Sequence, residues 1–384
     1  MNLRTLVACV SILVASPGQV SGQATPGEDS DAILTIDHYV LHASTVPSVR
    51  GERVPLYVRE RARAGSVLRA PNLEDRVVLF VHGAGTPAEV AFDVPYEDYS
   101  WMEYLARAGF DVFSLDATGY GRSFRPPAMN DPCNVSASQQ EQLVGLMLEE
   151  ACEPTHPGAL TTIQSDWDDI GAVVDYIREL RNVASVSLIG WSLGGPRTGG
   201  YAAANPGKVS RMVLLAPAYN RSASADPPED LPGGGAPMTL QSRADFTSNW
   251  DRQVGCEAQY DPRASDEVWA AMLASDPVGA TWGPGVRRAP RTLTWGWNQE
   301  IAGETRIPLL AVAGVHDAQV RPGAVRNLYE DWGGEKKVFL DLGCASHNAM
   351  WEENHLLLFE ASREWLTWGT VQGMESGTLG LGYE

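Results

Sequence analysis

Short runs of apolar residues alternate along this chain with segments of helical periodicity. The run Val77-Val-Leu-Phe-Val81 is wholly apolar, as expected of a strand covered on both faces of a sheet. Similar runs lie at 112–115, 186–189, 212–215, 309–312 and 338–340. Between them, the segment 164–180 carries apolar residues at helical spacing, at positions 170, 173, 174 and 177. Because parallel strands need crossover connections, this alternation predicts an α/β fold with a mostly parallel sheet.

The composition excludes several classes of function. Of 384 residues, 44% are hydrophobic and 12 are Trp, so the chain can bury a sizeable core. The formal net charge of −19 repels phosphate polyanions and gives no attraction to anionic lipids, so we expect neither a nucleic-acid partner nor a stable membrane anchor. No segment after the N-terminus supplies eighteen consecutive apolar residues, which excludes a polytopic membrane protein.

The N-terminus has the pattern of a secretory signal peptide. Arg4 supplies a positive charge, the segment 5–15 is almost wholly apolar, and Gly22-Gln-Ala24 offers small residues for cleavage. Cys9 lies inside the apolar segment rather than after it, so we interpret it as part of the signal and not as a lipid attachment site. We therefore expect residues 1–24 to be removed and the protein to be secreted or periplasmic. The alternative interpretation is a buried N-terminal helix.

Four cysteines remain once the signal peptide is removed. An even number in a chain bound for an oxidising compartment predicts two disulfides, which four cysteines can form in three pairings. Nearness in sequence favours Cys133 with Cys152, which leaves Cys256 with Cys344. Four free, buried thiols are the alternative.

The strand predicted at 186–189 leads at once into Gly190-Trp-Ser-Leu-Gly194 and a predicted helix. In a Gly-x-Ser-x-Gly motif the serine sits on a sharp turn between strand and helix, and the two glycines leave room for that turn. Pro196 falls within the first turn of the helix, where a missing N–H costs little. This context favours Ser192 as a nucleophile over a surface serine in a glycine-rich turn.

Together with other motifs, this segment resembles the α/β-hydrolase superfamily over about 33–368. The motifs are His82-Gly83 after a strand, Asp116 with Gly119-Tyr-Gly121, the turn at Ser192, and a later Asp and His in that order. The resemblance implies an α/β-hydrolase fold: a mostly parallel eight-stranded sheet with helices on both faces and a cap inserted after the sixth strand. Serine rather than aspartate at the turn disfavours the haloalkane dehalogenase and epoxide hydrolase branches, and the Gly-Trp-Ser-Leu-Gly-Gly form is similar to many esterases.

The rhythm of strands and helices divides the chain into a core and inserted segments. We expect the first part of the core at 25–217, with an insertion at 124–160, then a cap at 218–305, and the second part of the core at 306–384. The polar, Gly-rich tail from Gln372 is expected to be loosely ordered. The five cap tryptophans are interpreted either as a wall for an apolar or aromatic substrate group or as the small core of the cap; they are Trp250, Trp269, Trp282, Trp295 and Trp297.

A serine hydroxyl needs a base that is itself oriented by an acid. His347 follows the last predicted strand of the core, at the carboxyl edge where such sheets place their sites, and is the predicted base. Asp317, just beyond the strand at 309–314, is the predicted acid, and Asp341 is the rival carboxylate.

Acyl transfer also needs hydrogen-bond donors for the oxyanion that develops on the substrate. The resemblance assigns this oxyanion hole to the backbone N–H groups of Leu193 and Ala84. Gly85 is the substitute for Ala84 if the loop is shifted by one residue.

These residues predict a secreted serine hydrolase that cleaves carboxylic esters through an acyl-enzyme, acting on a small molecule with an apolar or aromatic part. Lactone or amide hydrolysis on the same residues is the alternative, including an aminopeptidase whose cap acids bind a free amine; these acids include Asp226, Glu229, Asp230 and Asp266. A binding protein without turnover usually lacks the serine or the histidine, and both are present. Neither a zinc spacing, a phosphate loop nor a complete dinucleotide fingerprint occurs, so we expect no cofactor and no metal.

Overall fold

The apolar runs of the sequence form the central strands of a nine-stranded sheet in the computed structural model, which describes residues 31–65, 73–231 and 233–383. The predicted signal peptide lies outside these residues. The strands of this sheet and of two smaller sheets, numbered together along the chain, are β1 (Ile33–Ala43), β2 (Arg53–Arg63), β3 (Val77–Val81), β4 (Asp111–Leu115), β5 (Thr161–Thr162), β6 (Val186–Trp191), β7 (Val209–Leu215), β8 (Met238–Ser242), β9 (Val286–Pro290), β10 (Thr292–Leu293), β11 (Leu309–Gly314), β12 (Lys337–Leu342) and β13 (Gly377–Leu381).

Helices fill most of the connections between these strands. They are α1 (Ala88–Phe92), α2 (Trp101–Arg107), α3 (Ala137–Gln140), α4 (Ile163–Arg181), α5 (Gly194–Ala204), α6 (Arg243–Asp251), α7 (Pro262–Ser275), α8 (Gln299–Glu304), α9 (Pro322–Asp331) and α10 (His355–Trp368). None of the helices in the described part of the chain is long and apolar enough to cross a lipid bilayer.

The large sheet has the strand order β1-β2-β4-β3-β6-β7-β11-β12-β13. β1 pairs with β2, and β2 with β4, in antiparallel fashion, whereas every other neighbouring pair is parallel. The predicted fold class is therefore confirmed, but the sheet has nine strands rather than eight. The extra strand is β13, in the tail that was expected to be loosely ordered. Its backbone pairs in parallel with the otherwise unpaired edge of β12, so hydrogen bonding to the sheet compensates for a weak apolar pattern.

Helices cover both faces of the sheet, because successive side chains of a strand point to opposite faces. Within β3, Val78 and Phe80 belong to one buried apolar cluster, and Val77, Leu79 and Val81 belong to the other. Helices α2 and α10 contribute to the first cluster, and helices α4, α5 and α9 contribute to the second. The two clusters pack on opposite faces of the sheet, and this packing holds in place the strands whose ends carry the site.

The segments expected as the insertion and the cap share a small apolar core. Met129, Val135, Leu143 and Leu160 from the first pack with Met238, Leu240, Trp282 and Val286 from the second. Two further two-stranded sheets lie here: β8 with β9, antiparallel, and β5 with β10, parallel. The side-chain amide of Gln139 also donates to the carbonyl oxygen of Leu240 on β8 at 2.8 Å and accepts from the N–H of Leu240 at 3.2 Å. The two segments therefore stabilise each other through this shared core and these hydrogen bonds.

The four cysteines of the described residues lie at disulfide distance in two pairs. Cys133 is bonded to Cys152, with a Cα–Cα separation of 5.3 Å, and Cys256 to Cys344, with one of 5.7 Å. The first bond closes a loop over a sequence separation of 19 and the second over 88. The second bond therefore joins the expected cap to the loop that carries His347.

We expect the double variant Cys256→Ser/Cys344→Ser to lower the free energy of unfolding by about 2–5 kcal/mol. Removing a disulfide that closes a long loop gives the unfolded chain more conformational entropy than removing one that closes a short loop. The matched control is Cys133→Ser/Cys152→Ser, whose shorter loop should cost about 1 kcal/mol less. Urea unfolding of the oxidised protein and both variants measures the difference. Equal losses in the two variants would contradict the loop-length argument.

Candidate active site

Ser192 lies on a sharp turn between β6 and α5. Its φ of 58° is in the left-handed region, which a non-glycine residue rarely adopts. The turn is held by hydrogen bonds from the N–H of Ser192 to the carbonyl of Leu215, 3.0 Å, and from the N–H of Ala218 to the carbonyl of Ser192, 2.9 Å. A strained backbone fixed in this way keeps the hydroxyl at the carboxyl edge of the sheet.

The two glycines of the motif are required by close contacts at this turn. A Cβ on Gly194 would lie 2.4 Å from the carbonyl oxygen of Val81, and a Cβ on Gly190 would lie 2.6 Å from the carbonyl oxygen of Gly194. Any side chain at either position would push the helix away from the sheet. Pro196 lies in the first turn of α5, as the sequence predicts.

His347 and Asp317 form a buried hydrogen-bonded pair next to this turn. The Nδ1 atom of His347 lies 2.8 Å from Oδ2 of Asp317. The other oxygen, Oδ1, accepts hydrogen bonds from the backbone N–H groups of Gln319 and Val320, both at 2.8 Å. The carboxylate is therefore fixed by acceptor bonds on both oxygens, which orients the imidazole with Nε2 free.

The loop that carries His347 is anchored by a buried carboxylate. Glu352 accepts hydrogen bonds from the N–H of Ser346 at 2.6 Å and from its hydroxyl at 2.5 Å. It also accepts bonds from Trp250 Nε1 at 2.8 Å and Gln259 Nε2 at 3.0 Å. Burial raises the pKa of Glu352. Residues of the expected cap therefore help to position the residue next to His347.

A buried arginine organises the loop after β3. Arg197, on α5, donates to the carbonyl oxygens of His82 and Gly83 at 2.9 and 3.1 Å and pairs with Asp166 at 2.7 Å. Burial, together with the charge of Arg197, lowers the pKa of His82 well below its usual value, so this ring is neutral. Its Nε2 accepts a hydrogen bond from the N–H of Ala117 at 3.1 Å. His82 thus has a structural role, and the loop leading to Ala84 is fixed.

A small cavity of about 90 Å³ connects these groups. Ser192, His347 and Ala84 all line it, with aromatic walls from Trp191, Phe246 and Trp351. Its polar lining comes from Thr86, Gln241, Asn249, Arg287, Gln319 and Asn348. Trp191 also donates from Nε1 to the carbonyl oxygen of His347 at 2.8 Å, which ties the strand before Ser192 to the histidine loop.

The sequence-predicted site residues are distributed around this cavity. Asp317 lies behind His347, and Leu193 is the residue that precedes α5, so its N–H is at the positive end of the helix dipole. The side chain of Leu193 lines a neighbouring cavity with Trp295 and Trp297. None of the five cap tryptophans lines the cavity of Ser192, and the four acids considered for amine binding are all exposed.

Sequence reasoning missed several residues of this cavity. Gln241, on β8, and Arg287, on β9, face each other across the antiparallel pair, and Phe246 and Asn249 lie on α6. Their segment has no motif or periodicity that marks it as part of a site. Only the folding of the expected cap over the sheet brings these side chains to Ser192. Among the described residues, no group of three or more His, Cys, Asp or Glu is placed to hold a metal ion.

A mostly parallel sheet, helices on both faces and a serine on the turn after a central strand together define the class of protein. The sequence pattern of the family described as alpha/beta hydrolase fold matches residues 76–354, well over half of the chain. The chain belongs to this family, and membership supports a hydrolase activity. None of the curated proteins compared with the sequence matches it.

Solved structures share the fold at low sequence identity. A thermophilic esterase from Thermogutta terrifontis is 16% identical, with a TM-score of 0.51, over 86% of this chain and 98% of that one. An esterase from Rhodococcus sp. ECU1013 is also 16% identical, with a TM-score of 0.51, over 86% and 99%. A meta-cleavage product hydrolase from Pseudomonas fluorescens IP01 is 14% identical, with a TM-score of 0.53, over 86% and 99%. At these identities the likeness is one of fold alone.

Proposed function

We propose that this protein is a serine hydrolase that cleaves carboxylic esters through the triad Ser192, His347 and Asp317. The observation that carries the proposal is the 2.8 Å contact between His347 Nδ1 and Asp317 Oδ2, with His347 lining the same cavity as Ser192. A carboxylate on Nδ1 selects the tautomer whose Nε2 accepts a proton. That is the state a serine nucleophile requires.

In the proposed mechanism, His347 removes the hydroxyl proton as Ser192 attacks the ester carbonyl. The negative charge that develops on the carbonyl oxygen is stabilised by the backbone N–H groups of Ala84 and Leu193. His347 then returns the proton to the leaving alcohol, which departs and leaves the acyl group on Ser192. A water molecule, activated by the same histidine, releases the acid and restores the hydroxyl.

The size of the cavity supports a small substrate group next to Ser192. The cavity next to Ser192 has a volume of about 90 Å³. A short acyl chain fits this space, and a long one requires the expected cap to move. The aromatic walls provide the apolar contact for such a group. Lactones, which present the same carbonyl chemistry, are the second substrate type we propose.

An aminopeptidase is the less supported alternative. Binding of a free amine needs a carboxylate near the nucleophile, and the cap acids Asp226, Glu229, Asp230 and Asp266 are exposed instead. The guanidinium of Arg287 lines the cavity and carries a positive charge, which repels an ammonium group.

Two observations support a location outside the cytoplasm. The paired cysteines are typical of an oxidising compartment, and the first 24 residues have the pattern of a signal peptide. We therefore propose that the protein is secreted or periplasmic. N-terminal sequencing of the protein recovered outside the cytoplasm, beginning close to residue 25, would support this.

We expect a fluorophosphonate probe to label the mature protein at one residue, Ser192, because the triad makes that hydroxyl the activated nucleophile. Intact mass and peptide mapping locate the label. In parallel, p-nitrophenyl esters from acetate to palmitate should be hydrolysed, with acetate and butyrate faster than octanoate and palmitate. Absence of both labelling and ester turnover would overturn the proposal. Labelling without ester turnover would redirect it to amides or to particular lactones.

A further inference from the structure

The cavity of Ser192 contains a cation without a partner. Arg287 lines the cavity together with Ser192 and His347, and its Nε atom is buried with no hydrogen-bond acceptor. In the described part of the chain, no carboxylate forms a salt bridge with this guanidinium. Burial lowers the pKa of Arg287 to about 10, which still leaves the side chain charged at neutral pH. The side chain as a whole is half-buried, so a ligand in the cavity can reach the guanidinium and pair with its charge.

The next residue of the same strand shows how this chain treats a structural arginine. Arg288 is fully buried and pairs with Asp276 through two hydrogen bonds, at 2.9 and 2.7 Å. It also donates to the side chain of Asn130 and the carbonyl oxygen of Met129. Because neighbouring side chains of a strand point to opposite faces, Arg288 is satisfied on the far side while Arg287 faces the cavity. The two arginines are neighbours on one strand, yet among the described residues Arg288 has an acidic partner and Arg287 has none.

The guanidinium of Arg287 lies against the loop of the proposed oxyanion hole. A Cβ on Gly85 would be 2.0 Å from Nη1 and 2.3 Å from Cζ of Arg287, and the φ of Gly85 is 86°. Gly85 therefore leaves room for the arginine next to Ala84. Across the strand pair, Gln241 also lines the cavity, and its Oε1 atom is buried without a donor. Two polar groups thus stand unpaired at the place where a substrate would lie.

We propose that Arg287 binds a carboxylate of the substrate, so that the protein acts on esters that carry a second, ionised carboxyl group, such as half-esters of short dicarboxylic acids. This inference rests on the proposed function. Arginine binds a planar carboxylate through two parallel hydrogen bonds. A single cation in a cavity of about 90 Å³ balances one negative charge, whereas a phosphate dianion would remain partly uncompensated. With a net charge of −19, the protein as a whole gives an anion no attraction, so this local cation must supply it.

The first test compares esters that differ only in charge. Monoethyl succinate is paired with ethyl levulinate, in which a methyl ketone replaces the carboxylate, and acetoxyacetic acid is paired with acetoxyacetone to place the charge on the alcohol side. For each pair, the preference is the kcat/KM of the anionic ester divided by the kcat/KM of the neutral ester. For at least one pair we expect this preference to be about 10- to 100-fold lower in Arg287→Met than in the wild type. Arg287→Lys should retain part of the preference, because it keeps the positive charge.

The control is Arg243→Met, which removes one positive charge from an exposed position on α6. It should leave both ratios at the wild-type value. Ratios that Arg287→Met leaves unchanged in both pairs would overturn the inference while the proposed ester hydrolysis stands. A thermal melt of Arg287→Met shows whether the variant is folded. Arg287 is half-buried and forms no salt bridge among the described residues, so the melting temperature should stay close to the wild-type value.

The second test does not depend on turnover. Titration calorimetry measures binding of the monoanion monoethyl succinate to Ser192→Ala and to Ser192→Ala/Arg287→Met. Binding that weakens by about 10-fold or more in the double variant supports a carboxylate site at Arg287, whatever the outcome of the ester assays. Equal binding by the two proteins overturns it. Inorganic phosphate is titrated alongside, and binding as tight as that of monoethyl succinate would overturn the assignment to a carboxylate.

Discussion

Ser192→Ala is expected to lower kcat on the best p-nitrophenyl ester by between about ten thousand-fold and a million-fold. The substitution removes the atom to which the acyl group is attached in the proposed mechanism, while the remaining cavity and the proposed oxyanion donors stay in place. The fold should be unaffected, because the backbone bonds of Ser192 with Leu215 and Ala218 do not use the hydroxyl. Stopped-assay kinetics at high enzyme concentration, with the substrate purified away from contaminating esterases, measures the residual rate.

The matched control for this variant is Ser222→Ala, in an exposed loop of the expected cap. It should retain wild-type kcat and wild-type labelling by fluorophosphonate. Retention of more than a tenth of the wild-type rate by Ser192→Ala, with a wild-type melting temperature, would assign the nucleophile to another residue. Loss of labelling together with loss of turnover would identify Ser192 as the reactive group.

Asp317→Asn is expected to lower kcat by about ten thousand-fold with little change in KM. One oxygen of Asp317 accepts two backbone N–H bonds, from Gln319 and Val320. The amide oxygen of asparagine must take that place, because its NH2 group cannot accept them. The NH2 group then faces His347 and donates to Nδ1, which moves the ring proton to Nε2. A protonated Nε2 cannot take the proton from Ser192, so the loss comes from the tautomer and not from a displaced side chain.

Asp341→Asn is the matched control, since Asp341 is the other carboxylate at the end of a late strand. Its replacement should leave kcat within about threefold of wild type, because Asp341 does not line the cavity of Ser192 and asparagine keeps its shape. Nitrogen NMR of labelled histidine reports the tautomer of His347 in both variants. If Asp341→Asn lost activity and Asp317→Asn did not, the acid would be wrongly assigned.

The strands of the core were predictable because burial on two faces imposes a strong local pattern. A continuous apolar run such as 77–81, too short for a typical helix, favours a strand covered on both faces, and the run was found at the centre of the sheet. The turn at Ser192 was predictable for a similar reason, since the short contacts of Gly190 and Gly194 exclude any side chain. Patterns of this kind are set by neighbours in sequence, and one sequence is enough to detect them.

Edges and surface segments gave weaker signals. The tail strand β13 was not predicted, because residues 377–381 are half-exposed and include two glycines. Its order depends on the free edge of β12, which is a property of the sheet and not of the tail. The eight-strand expectation failed at the same place and for the same reason.

The sequence by itself therefore determined the α/β fold class, the serine at the turn after a central strand, and the late aspartate and histidine as candidates for its partners. Only the tertiary structure decided that Asp317 and not Asp341 contacts His347, and that Arg287 faces the cavity with no acidic partner among the described residues. The physical reason is the range of the interactions. A strand covered on both faces appears in the sequence as a run of apolar residues. Whether two charged residues form an ion pair depends on which distant parts of the chain the fold brings together.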